Sequence, residues 1–223
     1  MLWSLQSLGN DCTVTTTSDL SSRPAGTRPP GRPLSAELSE QLLAVAMDIL
    51  ADEGWGRLNS DRVAARAHAG KAGIYRRWPT MAALARHALS TTTLVEVPAD
   101  SGELSTDLCA LLLPWTRPLT REERAAASLV GAARHDEELR AGLDEALVCP
   151  LAAAVREVAG REAGRGRELP EERVVLLGQV LQALWWQRYT SFGAAPMTTS
   201  QLEQLVGDVL LPIVDPVQVP AGR

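Results

Sequence analysis

From residue 36 onward the apolar positions recur at three- and four-residue intervals, and no stretch alternates over the length of a strand. Leu38, Leu42, Val45 and Ile49 share one stripe. They predict a first helix that starts after Ser35, a good N-cap preceded by Pro33, and stops at Gly54, a residue that tolerates the left-handed conformation. Asn59 is placed to cap a second helix, Ser60 to about Ala67, with Val63 and Ala64 facing inward. His68-Ala69-Gly70 reads as a tight turn, and Lys71 to Arg76 or Arg77 as a short third helix. Pro79 ends that helix, and Thr80 caps a fourth that runs to about Ser90.

The helical pattern continues beyond Pro98. A helix is predicted from about Ser101 to Leu113, halted at Pro114-Trp115, and another over about 121–133, capped by Thr120. A long one starts near Asp136 and extends toward Ala163. Within it Pro150 predicts a kink or break, because proline lacks the backbone donor. Two more follow, Glu171–Phe192 (apolar at Val174, Leu177, Leu181, Leu184, Trp185) and Ser200–Ile213 (apolar at Leu202, Leu205, Val209, Leu210). No repeat period is visible. The fold class read from this pattern is all-α.

Composition adds a boundary. Residues 1–33 are rich in Ser, Thr, Pro and Gly and cannot bury enough apolar surface to offset ordering entropy, so a disordered arm is expected there. Arg23, Arg28 and Arg32 lie in its last third, in reach of a neighbouring minor groove if the arm follows DNA. The first residues lack a basic stretch followed by a long apolar one, so no signal peptide is expected. No apolar run reaches membrane-spanning length. Cys12, Cys109 and Cys149, odd in number and far apart, suggest neither a disulfide framework nor a metal site; a cytoplasmic location is the simple expectation.

The chain has a formal net charge of −5, yet residues 23–90 hold ten bases against six acids. A local basic excess in an acidic chain points to contact with a polyanion. The only lysine, Lys71, opens the third predicted helix, and Tyr75, Arg76 and Arg77 follow. Two short helices joined by a tight turn are the layout of a helix-turn-helix, in which the first helix braces on the phosphate backbone and the second enters the major groove. Lys71 stands where a side chain meets a base edge or phosphate. Tyr75, Arg76 and Arg77 suit phosphate contacts, which position without reading sequence. Gly70, Ala72 and Gly73 are small enough for close approach, and Asn59 and Ser60 start the bracing helix. These nine residues are the candidate DNA-binding set. Ile74 and Trp78 are read as the apolar underside.

Residues 35–90 resemble the DNA-binding domain of the TetR/AcrR family of bacterial transcriptional regulators. The matching elements are the apolar first helix, Glu53-Gly54-Trp55, the VAARA run at 63–67 and KAGIYRRWPT at 71–80. Over 120–215 the segments RHDEELRAGL and GRGREL and the final helix pair resemble one C-terminal domain type of the same family. The chain departs from the family pattern at the turn, where His68-Ala69-Gly70 replaces Gly-Val-Ser, at Asn59, where Thr is common, and at Met81, where Lys often contacts phosphate. The resemblance implies a DNA-binding head at 34–80 and a helical ligand-binding and dimerising body at 81–215, followed by a tail at 216–223. It implies a homodimer formed through the last two long helices on a palindromic operator, and most often repression relieved by a small molecule. Activation, or a helical small-molecule-binding protein without a DNA role, is the alternative.

No catalytic arrangement or metal-ligand spacing is seen around His68, His87 and His135, and neither an enzyme nor a cofactor is expected. Aromatic residues on the later helices suggest an effector pocket. By the 3.6-residue period, Trp186 shares a stripe with Gln182 and Tyr189, whereas Trp185 goes with Leu181, Arg188 and Phe192 into packing. Trp115, Gln182, Trp186 and Tyr189 are therefore the candidate pocket residues for a small hydrophobic effector.

Overall fold

A computed structural model of the chain describes residues 36–191 and 193–214, and among these every regular element is helical. The arm, the Ser35 cap, Phe192 and the tail at 216–223 lie outside the described residues.

The first helix, α1 (Ala36–Glu53), buries Leu42, Ala46, Ile49 and Leu50 completely. Gly54 ends it with φ +83°, a conformation that side-chain-bearing residues rarely adopt, and its amide donates to the Ile49 carbonyl at 3.0 Å. A 3-10 turn, Trp55–Arg57, leads into α2 (Ser60–Arg66), where the Asn59 side chain accepts the Arg62 amide at 2.9 Å. Next come α3 (Lys71–Tyr75) and α4 (Met81–Ser90), the latter capped by the Thr80 hydroxyl, which accepts the Ala83 amide. Val63, Ala67, Ile74 and Trp78 close the small core beneath this head.

The body begins with α5 (Leu104–Leu112), which starts three residues later than the apolar pattern suggests. Ser101 instead turns back, its hydroxyl donating to the buried Asp107 carboxylate at 2.6 Å. The α-helix stops just ahead of Pro114, as the sequence suggests, and the chain tightens into a 3-10 turn, Leu113–Thr116, which accepts proline near its start because that amide needs no partner there. In α6 (Arg121–Leu129), Thr120 and Glu123 form a reciprocal capping box.

Helices α7 (Glu137–Leu143) and α8 (Cys149–Gly164) run on as one element. Pro150 neither breaks nor ends it. The helix widens instead into a π turn, Asp144–Val148, in which the Cys149 amide reaches the Asp144 carbonyl. The widening moves the preceding carbonyls away from the proline ring, which would otherwise collide with them. After α9 (Glu171–Thr190) the same device recurs. Helices α10 (Thr199–Leu205) and α11 (Leu211–Val214) join through a π turn, Val206–Leu210, just before Pro212. Cys109 is a free thiol.

Head and body share α1, which packs along α6. Arg121 reaches Asp48 at 2.6 Å and the Ala44 carbonyl at 2.8 Å, and Arg124 reaches Asp52 at 3.2 Å. Helix α4 lies between the two parts, against α1 on one side and α7 on the other. At the second contact Gly142 lets the backbones meet: a Cβ there would lie 3.1 Å from the Arg86 Cα. Arg86 itself pairs with Glu138 at 3.0 Å and with Glu145, and these carboxylates hold its guanidinium pKa well above the ordinary value.

Candidate nucleic-acid interface and the buried aromatic cluster

Glu53, at the end of α1, binds both Arg62 and Arg66 and so fixes α2 against α1. The turn that follows places His68 at φ +48°, the one non-glycine residue with positive φ among those described. Gly70 precedes α3 without a side-chain cap, so the loss of serine at this position leaves that helix start uncapped by any side chain.

The nine candidate residues divide. Asn59, Gly70, Lys71, Ala72, Tyr75 and Arg76 are exposed, Tyr75 by 50%, and Ser60 is half-buried beside them. Gly73 is buried on the inner side with Ile74, so it serves packing of α3 rather than an outward approach. Arg77 is turned into the head: its Nε donates to the Ser39 hydroxyl at 2.8 Å and one terminal nitrogen to the Gly73 carbonyl at 2.9 Å. Lys71 is ion-paired with Asp61, whose hydrogen bond and charge raise the lysine pKa. Asp61 thus belongs to the exposed face of the motif, and its position in the first turn of α2 could have drawn attention to it from the sequence. The outer surface combines an aromatic ring, a lysine and an arginine on a short helix set at the end of a tight turn. That geometry is the layout of a helix-turn-helix.

In the body, the four candidate pocket residues do not form one group. Trp115 and Tyr189 are buried, and both meet Trp185, which has no exposed surface. The Trp115 and Trp185 rings stack edge-on at 4.7 Å, and those of Trp185 and Tyr189 at 6.0 Å. Gln182 and Trp186 are half-buried on the neighbouring face of α9. The Arg188 guanidinium caps the Trp115 ring at 5.4 Å and bonds Glu123 at 3.2 Å. Glu123 also takes a hydrogen bond from Arg117 at 2.6 Å and from the Thr120 amide at 2.7 Å. Burial, with Glu123 nearby, pushes the Tyr189 phenol well above its ordinary pKa.

The cation, carboxylate and rings of this cluster come from α9, α6 and the Leu113–Thr116 turn with its following residue, and only the rings stood out in the sequence. Beside it opens a cleft of about 330 Å³, bounded by the Thr91–Leu94 segment that follows α4. Among the described residues no helix is long and apolar enough to cross a membrane.

Known families match both parts. The model for bacterial regulatory proteins of the tetR family covers residues 42–88, and that for the tetracyclin repressor-like C-terminal domain covers 98–209. Over 185 residues the chain is 34% identical to the DNA-binding transcriptional repressor TetR of Mycobacteroides abscessus, spanning 80% of this chain and 94% of that protein. It is 32% identical over 111 residues to the uncharacterized HTH-type transcriptional regulator YdeS of Bacillus subtilis, spanning 49% and 56% of the two chains. The solved TetR family transcription regulator SCO0332 superposes with a TM-score of 0.53 at 26% identity, over 78% of this chain and 97% of that one. Salmonella enterica GusR superposes at 0.59 with 12% identity, over 78% and 96%, a likeness of fold alone. The chain belongs to the TetR family: it is a DNA-binding transcriptional regulator with a helix-turn-helix head and a helical C-terminal body, and not an enzyme.

Proposed function

We propose that the protein is a homodimeric repressor that leaves a palindromic operator when a small molecule binds its body. The observation that carries this reading is the placement of α4. One helix carries the anchor of the reading head at one end and the wall of the body cleft at the other, with Arg86 clamped to α7 between them. An effector that prefers one position of α4 by differential affinity would shift the spacing of two heads away from successive major grooves. Lys71, Tyr75 and Arg76 supply the outward contacts, with Asn59, Ser60, Gly70 and Ala72 bordering them.

The dimer surface fits the last two long helical elements. Leu176 on α9 and Val209 between α10 and α11 are 40% and 44% exposed, and Val180, Leu184, Trp186 and Ile213 are half-buried nearby. Apolar surface of this kind on the final helices suits a four-helix interface. The site of action would be the cytoplasm, where the DNA is.

Fluorescence anisotropy with DNA flanking the protein's own gene tests the reading. Salt-dependent binding to a two-fold symmetric site, by a species of twice the chain mass in sedimentation, is the expected result. A monomer, or equal affinity for unrelated DNA at every salt concentration, rejects it. Regulation by an effector is tested separately, by loss of the bound signal on titrating a compound that binds the body.

A further inference from the structure

The head holds more basic charge than it offers to DNA. Arg62 and Arg66 are both bound by Glu53, and Arg77 is turned inward to Ser39 and the Gly73 carbonyl. Arg57 and Arg76 are exposed and join no ion pair among the described residues. Lys71 is exposed too, yet its charge is matched on the outer face itself. Its ammonium, at the start of α3, is paired with the Asp61 carboxylate in the first turn of α2. The two side chains are 54% and 75% exposed.

An ion pair this open to water adds little to stability. Its position gives it another effect. In a helix-turn-helix the start of the reading helix meets base edges, while the bracing helix crosses the phosphate backbone. Asp61 therefore sets a full negative charge on a surface that faces a polyanion, and it cancels the charge of the only lysine in the chain. A phosphate that takes Lys71 from Asp61 exchanges one anionic partner for another and leaves the carboxylate beside the backbone. A base edge demands no such exchange. An ammonium has three donors, so Lys71 can keep one on Asp61 and offer another to an acceptor such as guanine O6 or N7.

We propose that Asp61 is a specificity-determining residue, which withholds the Lys71 charge from phosphates and reserves its donors for a base edge. The pair approaches the DNA uncharged overall, so duplex of arbitrary sequence gains nothing from it. Only a sequence with an acceptor at that step does. This rests on the placement of Lys71 on the DNA in the reading above, and not on the dimer or on effector release.

Fluorescence anisotropy on the full chain tests the proposal with two duplexes, one from the DNA flanking the protein's own gene and one of equal length with that sequence scrambled. Asp61→Asn should bind the scrambled duplex about fivefold more tightly per head at about 0.15 M salt, with a log–log salt dependence steeper by about one unit, because one more counterion is released. Its preference for the gene-flanking duplex should fall about threefold, since the freed ammonium takes phosphate at any sequence. Adding Lys71→Met to Asp61→Asn removes both charges, so the scrambled-duplex slope should return to the parent's while the preference stays low. Asp61→Glu keeps the charge and should behave as the parent does. Both residues are exposed, so thermal melts of all variants should coincide.

An unchanged slope and affinity for Asp61→Asn on the scrambled duplex overturns the proposal. If its melting point also falls, the carboxylate serves only the dipole of α2. The double variant then separates the two levels. A slope shallower than the parent's keeps Lys71 on the DNA and rejects the role of Asp61, whereas a slope equal to the parent's removes Lys71 from the DNA as well. The slope comparison needs no operator, so it stands even where the gene-flanking DNA is not the target.

Discussion

The Trp78 indole N–H donates to Nδ1 of His87 at 2.9 Å, and the two rings meet edge-on with centroids 5.7 Å apart. Trp78 follows the reading helix and His87 lies on the α4 lever, so this bond couples head to lever. It requires the tautomer of His87 that leaves Nδ1 free to accept. His87→Phe keeps a ring but strands the buried indole donor. Stability should fall by about 1–2 kcal/mol, with more effector needed for half-release of DNA, as thermal melts and anisotropy would show. Unchanged values in both measurements would remove the link from the mechanism.

Gly142→Ala tests the lever's second contact. The new methyl would meet the Arg86 backbone at 3.1 Å, and backbone cannot yield as a flexible side-chain end does. A loss of about 1–3 kcal/mol in thermal stability is expected, as for overpacked sites, together with weaker operator binding. Arg86→Ala, which removes the clamp on Glu138 and Glu145 but adds no bulk, should alter effector sensitivity with a smaller change in stability.

Arg76 and Arg77 are adjacent yet should respond differently. Arg76→Ala should make the log–log salt dependence of DNA affinity shallower by about one unit per head. Arg77→Ala should mainly lower stability, by about 1–2 kcal/mol, because its guanidinium bonds Ser39 and the Gly73 carbonyl. The reverse pattern would place Arg77 on the DNA.

His68→Gly addresses the turn. With φ at +48°, His68 carries a conformational cost that glycine avoids, offset in part by glycine's freedom in the unfolded chain. The variant should melt higher, by an amount equivalent to about 0.5–1 kcal/mol. A lower melting point would show that the imidazole makes a compensating contact.

Asp107 provides the acid limb. Burial alone would raise its pKa, but the Ser101 hydroxyl and amide and the Arg161 guanidinium outweigh burial and hold it below the ordinary carboxylate value. A depressed pKa means stability that is fully present above the unfolded-state value and lost as pH falls through the folded value. Asp107→Asn should be less stable than the parent at neutral pH, and the difference should shrink below about pH 4 in denaturant titrations.

The head was legible because its signals are local. Caps at Asn59 and Thr80, small residues in the turn and the run from Lys71 to Trp78 each act within one or two helical turns. The fate of Arg77 was not, since its partner Ser39 lies on a different helix. The aromatic stripe failed for another reason. Tyr189 is a helical neighbour of both Trp185, four residues back, and Trp186, three back, and periodicity cannot choose between them. The edge-on stacking of Trp115 on Trp185 decides it, and that depends on how the Leu113–Thr116 turn meets α9. Arg188 shares the packing stripe of Trp185 in the sequence, but its partner Glu123 lies on a different helix, and only the fold buries the two together.

The two π turns bear on how apolar stripes are counted in this body. Leu139, Leu143, Leu147, Leu151 and Val155 are all buried and recur every fourth residue, as do Leu202, Val206, Leu210 and Val214. On an unbroken α-helix a four-residue repeat precesses by about 40° per step, so the first series would wander through roughly 160°. One extra residue held within the widened turn cancels about 100° of that drift. Each bulge therefore resets the helical phase and lets a repeat unsuited to a straight helix stay on one side of the body. It follows that the spacing of the leucines, as much as Pro150 or Pro212, specifies where the helix widens, and replacing either proline alone should leave the phase shift in place.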